Sequence, residues 1–169
     1  DYRRDKDKLV VVEKHHLNAD VEFLRSGMSS VFPGGDLDYT LHTFPNHHRA
    51  LRSMDMLGRK EKSAKPNGAR YSVECYFDRA IRFAKDDAMV RMLYGMYLVA
   101  RDRKKEGLEQ LRAAETLGAS GANFHYNLGL AYLDLGQHDS ALQHAKKAYE
   151  MGFPLPGLRD KLKRAGKWR

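Results

Sequence analysis

The side chains most capable of chemistry in this sequence are eight histidines and one cysteine. Four of the histidines form the adjacent pairs His15-His16 and His47-His48. Adjacent residues of a helix point about 100° apart, so neither pair chelates a metal ion by itself. The sequence has no HExxH spacing, and Cys75 has no second cysteine to join it as a zinc ligand. We therefore expect no metal or haem site and no cofactor, and we expect Cys75 to be a buried, unreactive thiol.

Two carboxylates, Asp36 and Asp38, follow the pair Gly34-Gly35. A calcium loop needs more oxygen ligands at fixed spacing than this stretch supplies. We therefore expect the two carboxylates to cap a helix, where negative charge near the N-terminus is favourable. The sequence also lacks a Gly-rich phosphate loop, a GxSxG turn and a Cys/His nucleophile arrangement. It predicts no catalytic residues and a protein that is not an enzyme.

Length and composition indicate one globular domain. The chain has 169 residues, of which 42% are hydrophobic and 10% aromatic, enough for a real core and too apolar for wholesale disorder. Its apolar runs, such as Leu9–Val12, are far shorter than the ~20 residues of a membrane span, so none is predicted. The chain begins at Asp1 without a methionine, so we expect a processed or trimmed chain whose targeting segment would lie upstream.

The net charge of +8 is concentrated in a loop and a tail. Residues 59–70 carry five basic side chains and one acidic, residues 156–169 carry six and one, and the remaining chain is about neutral. Two separate basic segments suit an acidic partner, anionic lipid headgroups or solubility better than a continuous nucleic-acid groove. Only Trp168 places an aromatic ring among these charges, so a nucleic-acid interface is not favoured.

The elements that would position these side chains follow from an internal repeat. A shift of 34 residues aligns residues 88–121 with residues 122–155. Small residues, which close helix crossings require, recur in both copies: Gly95 and Gly129, Gly107 and Ala141, Ala114 and Ala148, Gly118 and Gly152. This spacing resembles the tetratricopeptide repeat, whose pattern the second copy matches at Leu128, Gly129, Tyr132, Gly136, Ala141 and Ala148, with Pro154 near the terminal proline. The first copy matches less closely, because Tyr94, Leu98 and Gly107 replace the leucine, tyrosine and alanine of the pattern.

A third, irregular copy is predicted over residues 48–87, with a first helix inside 44–58 and a second inside 70–88. Between them, Pro66-Asn67-Gly68 interrupts any helix. This copy has 40 residues rather than 34, and we assign the difference to an extra loop. Residues 156–169 predict an amphipathic capping helix, whose apolar positions are Leu158, Leu162 and Ala165.

Residues 1–44 are less regular and predict an extension with short helices. Asn18 can cap a helix that runs through Arg25 and stops at Gly27. The sequence Pro33-Gly34-Gly35 predicts a turn, and Asp36–Phe44 predicts another short helix. Leu9–Val12 is β-branched, apolar and flanked by charges, and we expect it to be extended.

Together these segments predict an all-α fold. Its body would be a right-handed α-solenoid of about three tetratricopeptide-like helix pairs over residues 45–169. The stretches 34–54 and 70–83 also resemble a group of uncharacterised exported bacterial repeat proteins, which implies a periplasmic or secreted location.

The resemblance implies a concave partner groove on the first helix of each repeat. Its residues would be Arg49, Arg52, Met56 and Arg59, then Met89, Met92, Met96 and Val99, then Asn123, Tyr126, Asn127, Leu130 and Leu133. Methionine suits an adaptable apolar surface, although the methionines can instead pack on a neighbouring segment. Some repeats of the family clamp a terminal carboxylate with Lys and Asn residues. Met56 and Leu93 replace two of those asparagines, so we do not expect that clamp here.

The sequence therefore predicts a non-catalytic protein–protein interaction scaffold or adaptor, which binds an acidic and apolar partner segment in the groove. The alternative is a structural subunit that assembles head to tail into an oligomer or filament through its N-terminal extension. In that extension Leu9–Val12 is a candidate plug for the groove, because monomers rarely leave large apolar patches bare. Its flanking carboxylates Asp7 and Glu13 would meet Arg49, Arg52 or Arg59 of the same chain or of a neighbour.

Overall fold

The fold, seen in a computed structural model that describes residues 1–118 and 120–168, is all-α as predicted, and no β-strand occurs in these ranges. Their ten helices are α1 (Lys6–His16), α2 (Ala19–Glu22), α3 (Pro33–Thr43), α4 (His48–Lys60), α5 (Val73–Phe83), α6 (Ala88–Val99), α7 (Lys104–Leu117), α8 (Ala122–Asp134), α9 (His138–Glu150) and α10 (Gly157–Arg164). None of them is long and apolar enough to cross a membrane. The chain divides into two compact units, Asp1–Leu93 and Tyr94–Arg169.

In the first unit, α1 occupies the segment for which an extended conformation was predicted, and that prediction was wrong. Leu9 and Val12 are buried together with Phe44, and Tyr2 packs on the same cluster. The residues between them, Val10 and Val11, are exposed. A helix brings positions i and i+3 to one face, whereas a strand would point Leu9 and Val12 to opposite faces. Burial of this pair therefore outweighs the preference of valine for strands.

Helix α2 begins with the expected signal but ends at Glu22 rather than Arg25. Residues 33–35, predicted as a turn, are instead the start of α3. The Asn18 side chain accepts a hydrogen bond from the Val21 N–H at 3.0 Å, which caps α2 as predicted. Helix α3 begins at Pro33 rather than Asp36, because the fixed φ of proline suits the first helical position. Gly34 lies inside this helix where a Cβ atom would come within 2.1 Å of the Asn67 carbonyl oxygen. The turn at residues 66–68 therefore passes directly over the start of α3.

Helices α4 and α5 form within the two segments predicted for the irregular copy. His47 precedes α4, and its Nδ1 accepts a hydrogen bond from the Ala50 N–H at 3.2 Å. Ser72 caps α5 in the same way, by accepting from the Cys75 N–H at 3.3 Å. The apolar face of α4 is fully buried, at Leu51, Met54 and Leu57.

Along the chain, the first residues of α6 and α8 are 34 positions apart, and so are the first residues of α7 and α9. The small residues singled out by the repeat lie at close crossings in the second unit. A Cβ atom on Gly107 would lie 3.0 Å from the Gly95 carbonyl oxygen, and one on Gly129 would lie 3.3 Å from the Ala141 carbonyl oxygen. The same crossing therefore recurs in the two helix pairs.

The last helix of the second unit, α10, covers apolar surface of α8 and α9 as predicted. Leu158 and Leu162 are fully buried, and a Cβ atom on Gly129 of α8 would lie 2.6 Å from a methyl carbon of Leu158. Ala165, the third predicted apolar position, is instead exposed because α10 ends at Arg164. Beyond the helix, the Trp168 ring makes an edge-to-face contact with Tyr149.

Candidate functional site

Four of the predicted partner-binding residues lie along one exposed face of α4, and we call them the α4 row: Arg49, Arg52, Met56 and Arg59. Their spacing of three and four residues places them above one another on the helix surface. The apolar residues of α4 are buried on the other side. The helix is therefore amphipathic, with three cations and one methionine facing solvent.

Arg49 is already bound to carboxylates of its own chain. Its Nε donates to Glu22 Oε1 at 3.0 Å, and its Nη1 donates to Glu13 Oε1 at 3.2 Å. The hydrogen bond with Glu22 raises the pKa of the Arg49 guanidinium. The predicted meeting of Glu13 with the cationic residues of α4 therefore occurs within one chain.

The other members of the α4 row differ in what they bind. Arg59 pairs with Asp55, one turn earlier on the same helix. Arg52 makes no ion pair with any residue in the described ranges 1–118 and 120–168, and Met56, one turn further on, is 37% exposed. Arg52 and Met56 are therefore the members of the row whose side chains remain open to a partner.

The methionines predicted to line a groove do not all face solvent. Met92 is only 1% exposed and belongs to the core, so its prediction as a groove residue was wrong. Helix α6 is apolar on several sides, since Val90, Tyr94 and Leu98 are buried as well, and a helix of this kind has little free surface. Met89 in the first unit, and Met96 and Val99 in the second, are half-buried.

The predicted residues of α8 lie on one side of that helix with different degrees of exposure. Asn123 is exposed, whereas Tyr126, Asn127, Leu130 and Leu133 are half-buried. The Asn127 amide donates to the Asn123 carbonyl at 2.8 Å and to its side-chain oxygen at 2.9 Å. The Tyr126 ring stacks on Phe153 with a centroid distance of 4.0 Å. These contacts satisfy much of the α8 surface within the second unit.

A polar network that the sequence reasoning missed joins α7, α8 and α9 inside the second unit. Glu115 accepts from the Tyr132 hydroxyl at 2.9 Å and from His144 Nε2 at 3.2 Å. His144 Nδ1 lies 3.0 Å from His125 Nδ1. Since the carboxylate only accepts, His144 carries its proton on Nε2 and its Nδ1 accepts from His125. Burial lowers the pKa of both histidines, which favours uncharged imidazole rings in this network.

In the two histidine pairs of the first unit, His16, His47 and His48 each contact a different carboxylate, so neither pair acts together on one group. His16 Nδ1 lies 2.9 Å from Asp36, His47 Nε2 lies 3.0 Å from Glu13, and His48 Nε2 lies 2.9 Å from Asp87. Burial by itself would raise the pKa of Asp87, but hydrogen bonds from His48 and Asn46 outweigh it and lower that pKa. The histidines thus tie neighbouring segments together. His48 is the first residue of α4.

The expectation that Asp36 caps a helix was wrong. Its buried carboxylate accepts from the backbone N–H groups of Met28, Ser29 and Ser30 at 2.8, 3.1 and 3.0 Å. It holds the preceding loop rather than the N-terminus of α3, and the residue at that N-terminus is Phe32. Asp38 is also buried and accepts from the Arg70 Nε at 2.7 Å.

Two further expectations concern metal ligands and the cysteine. Among the described residues, no group of three or more histidine, cysteine, aspartate or glutamate side chains is placed to hold a metal ion. Cys75 lies in α5 as a free thiol that is half-buried rather than fully buried. Its prediction as a buried residue was therefore wrong.

Comparison with known proteins assigns no family. No protein-family model matches the chain, and no curated protein matches it. We therefore argue its function from its own residues.

Proposed function

We propose that the chain is a non-catalytic protein–protein interaction scaffold or adaptor, built on a right-handed tetratricopeptide-like solenoid. Its α4 row would bind a partner segment that carries a carboxylate and an apolar side chain. The observation that carries this proposal is the exposed pair Arg52 and Met56. Arg52 pairs with no carboxylate among residues 1–118 and 120–168, and the Met56 side chain is 37% exposed.

The helix pairs support the repeat on which this proposal depends. Helix starts spaced by 34 residues and recurring crossings at Gly95 with Gly107 and Gly129 with Ala141 are typical of stacked two-helix repeats. In tetratricopeptide repeats the first helix of each pair carries the partner-binding face. In the proposed repeat, α4 would be the first helix of the irregular copy, and its exposed row would be the corresponding face.

The chemistry of the α4 row suits an acidic and apolar segment. Arginine recognises carboxylates through two parallel N–H donors, and methionine adapts to apolar side chains of different shapes. Arg49 provides an intramolecular example, because it already binds Glu13 and Glu22. A partner carboxylate at Arg52 would extend this series along the helix, and an apolar partner side chain would cover Met56.

The test is a pull-down from native extract, analysed by mass spectrometry, with three forms of the full chain as bait. The Arg52→Glu/Met56→Glu variant should lose the partner, whereas the matched Phe83→Glu/Lys85→Glu variant should keep it. Both pairs of substitutions change an exposed cation and an exposed apolar residue of the first unit, and circular dichroism should show equal helicity. Equal capture by all three forms would exclude the α4 row as the binding surface.

A further inference from the structure

The loop between α2 and α3 exposes apolar side chains at its tip. Val31 is 86% exposed, Phe32 is 50% exposed and Met28 is 45% exposed, and we call these three residues the apolar tip. Val31 is the most exposed large hydrophobic side chain among the described residues. Three exposed apolar side chains within five residues of one loop are a candidate place of contact with another molecule.

Hydrogen bonds to Asp36 and to the backbone of α1 hold the loop that carries the apolar tip. The buried Asp36 carboxylate binds three successive backbone N–H groups of residues 28–30, and His16 donates to the same carboxylate. The Ser29 hydroxyl donates to the His15 carbonyl at 2.6 Å. The loop turns so tightly that a Cβ atom on Gly27 would lie 1.9 Å from the Ser30 carbonyl oxygen. Fixing the backbone of a loop costs conformational entropy. Here the fixed backbone holds apolar side chains in solvent, where they gain no burial within the chain.

The chain segment that carries Lys60, Lys62 and Lys65 contacts both ends of the loop that holds the apolar tip. The turn at residues 66–68 passes over Gly34 and Gly35 in the first turn of α3, and a Cβ atom on Gly35 would lie 2.6 Å from the Ser30 hydroxyl. Lys60 donates to the Leu24 carbonyl at 2.8 Å, which places its ammonium group beside the start of the loop. Like Lys60, the exposed Lys62 and Lys65 form no ion pair with a carboxylate in the described part of the chain.

We infer that the apolar tip and these three lysines dock on an anionic phospholipid surface. Apolar side chains that enter the boundary between headgroups and acyl chains, next to cations that meet anionic headgroups, are the combination by which peripheral proteins bind bilayers. A fluid surface accepts exposed apolar side chains without a matching cavity. The lysines of the segment that contacts this loop have the sign that an anionic surface requires. This site is separate from the α4 row and does not depend on the proposed protein partner.

The test is co-sedimentation of the full chain with vesicles of phosphatidylcholine alone and of an equimolar mixture of phosphatidylcholine and phosphatidylserine. We expect binding to the mixed vesicles only, weakened by salt. Val31→Ser/Phe32→Ser should reduce that binding more than about ten-fold. Its matched control, Val10→Ser/Val11→Ser, changes two exposed valines of α1 and should have no effect.

A second pair of variants tests the charges. Lys62→Gln/Lys65→Gln should weaken binding to the mixed vesicles by about five-fold for each lysine. Lys8→Gln/Lys85→Gln removes two exposed lysines elsewhere in the first unit and should weaken it much less. Equal effects of the two pairs would mean that net charge alone causes the binding, and would overturn the proposal.

A spectroscopic readout shows whether the tip itself enters the bilayer. In a Trp168→Phe background, a tryptophan introduced by Val31→Trp should shift its emission to shorter wavelength with the mixed vesicles. An unshifted emission, or no binding to these vesicles, would overturn the proposal. A change of sedimentation in lipid-free Val31→Ser/Phe32→Ser protein would overturn it as well, because the tip would then bind a second copy of the chain.

Discussion

At the residue scale, the buried polar side chains of this protein act as ties between segments. Asp36, His47 and Asp87 are almost fully buried, and each has hydrogen-bond partners in a different part of the first unit. A buried polar group is tolerated only when it is paired in this way.

His47 should make the protein less stable in acid. Burial, followed by the charges of Arg49 and His48, lowers the pKa of His47 to about 3 from its ordinary 6.5. The folded state therefore binds this proton less readily than the unfolded chain does. The contribution of neutral His47 to the free energy of unfolding is therefore fully present above about pH 6.5. Below that pH the free energy of unfolding should fall by about 1.4 kcal/mol per pH unit.

Urea unfolding between about pH 7 and about pH 4 measures this slope. His47→Asn keeps a side-chain acceptor for the Ala50 N–H but does not titrate, so its free energy of unfolding should depend less on pH. The groups that face the ring, Glu13, Arg49, His48 and Lys6, remain in both proteins. Identical slopes would mean that His47 does not titrate between the folded and unfolded states.

Met92 and Met56 should respond differently to truncation because one is buried and the other exposed. Met92→Ala removes a fully buried side chain and should lower the free energy of unfolding by about 2–5 kcal/mol. Met56→Ala is the matched control and should change it by less than about 0.5 kcal/mol. Denaturant unfolding compares the two variants. A small effect at Met92 would place that side chain outside the core.

At the element scale, close helix crossings decide which residues are tolerated in the second unit. Ala141 is fully buried at the crossing of α8 and α9. Ala141→Leu should overpack this crossing and lower the free energy of unfolding by about 1–3 kcal/mol. Ala165→Leu makes the same change at an exposed alanine and should have little effect. If thermal unfolding of the Ala141→Leu protein is unchanged, the helices do not cross at this residue.

At the scale of the whole molecule, the N-terminal segment belongs to the first unit of its own chain. Arg3 pairs with Asp86 and Asp87, Glu13 pairs with Arg49, and Leu9 packs with Phe44. These contacts are all intramolecular, so they give no support to head-to-tail assembly through this segment.

Removing residues 1–16 should therefore destabilise the first unit without changing the oligomeric state. The deletion uncovers Phe44 and leaves His47 and Arg49 without Glu13, so binding of an apolar dye should rise and the melting temperature should fall. Sedimentation velocity should give the same assembly state for the full and shortened chains. Dissociation of an assembly on deletion would instead favour the head-to-tail alternative.

Much of the helical part of the fold was predictable because its signals are local or periodic. The 34-residue repeat predicted the two helix pairs after residue 87 and their small-residue crossings. The leucine spacing predicted α10, and Asn18 predicted the cap of α2. The α4 row was predictable as a helix face, because residues three and four apart share one side whatever the helix packs against.

The errors arose where distant contacts outweigh local preference. Leu9–Val12 is a strand former by composition, but burial of Leu9 and Val12 against Phe44 requires a helix. Asp36 resembles a helix cap, but the backbone of residues 28–30 lies close enough to take its carboxylate. The network of His125, His144 and Glu115 joins residues up to 29 positions apart, and no spacing in the sequence marks it.

The sequence by itself determined where most helices lie and which faces of them are polar, because periodicity, capping residues and glycine positions act within a few residues of the chain. Only the tertiary structure decided which exposed side chains remain free. Arg49 is occupied by two carboxylates and Met92 is in the core, although the sequence treats them like their neighbours Arg52 and Met56. A side chain's partners depend on segments that the fold brings together from far along the chain, and no local pattern encodes that distance.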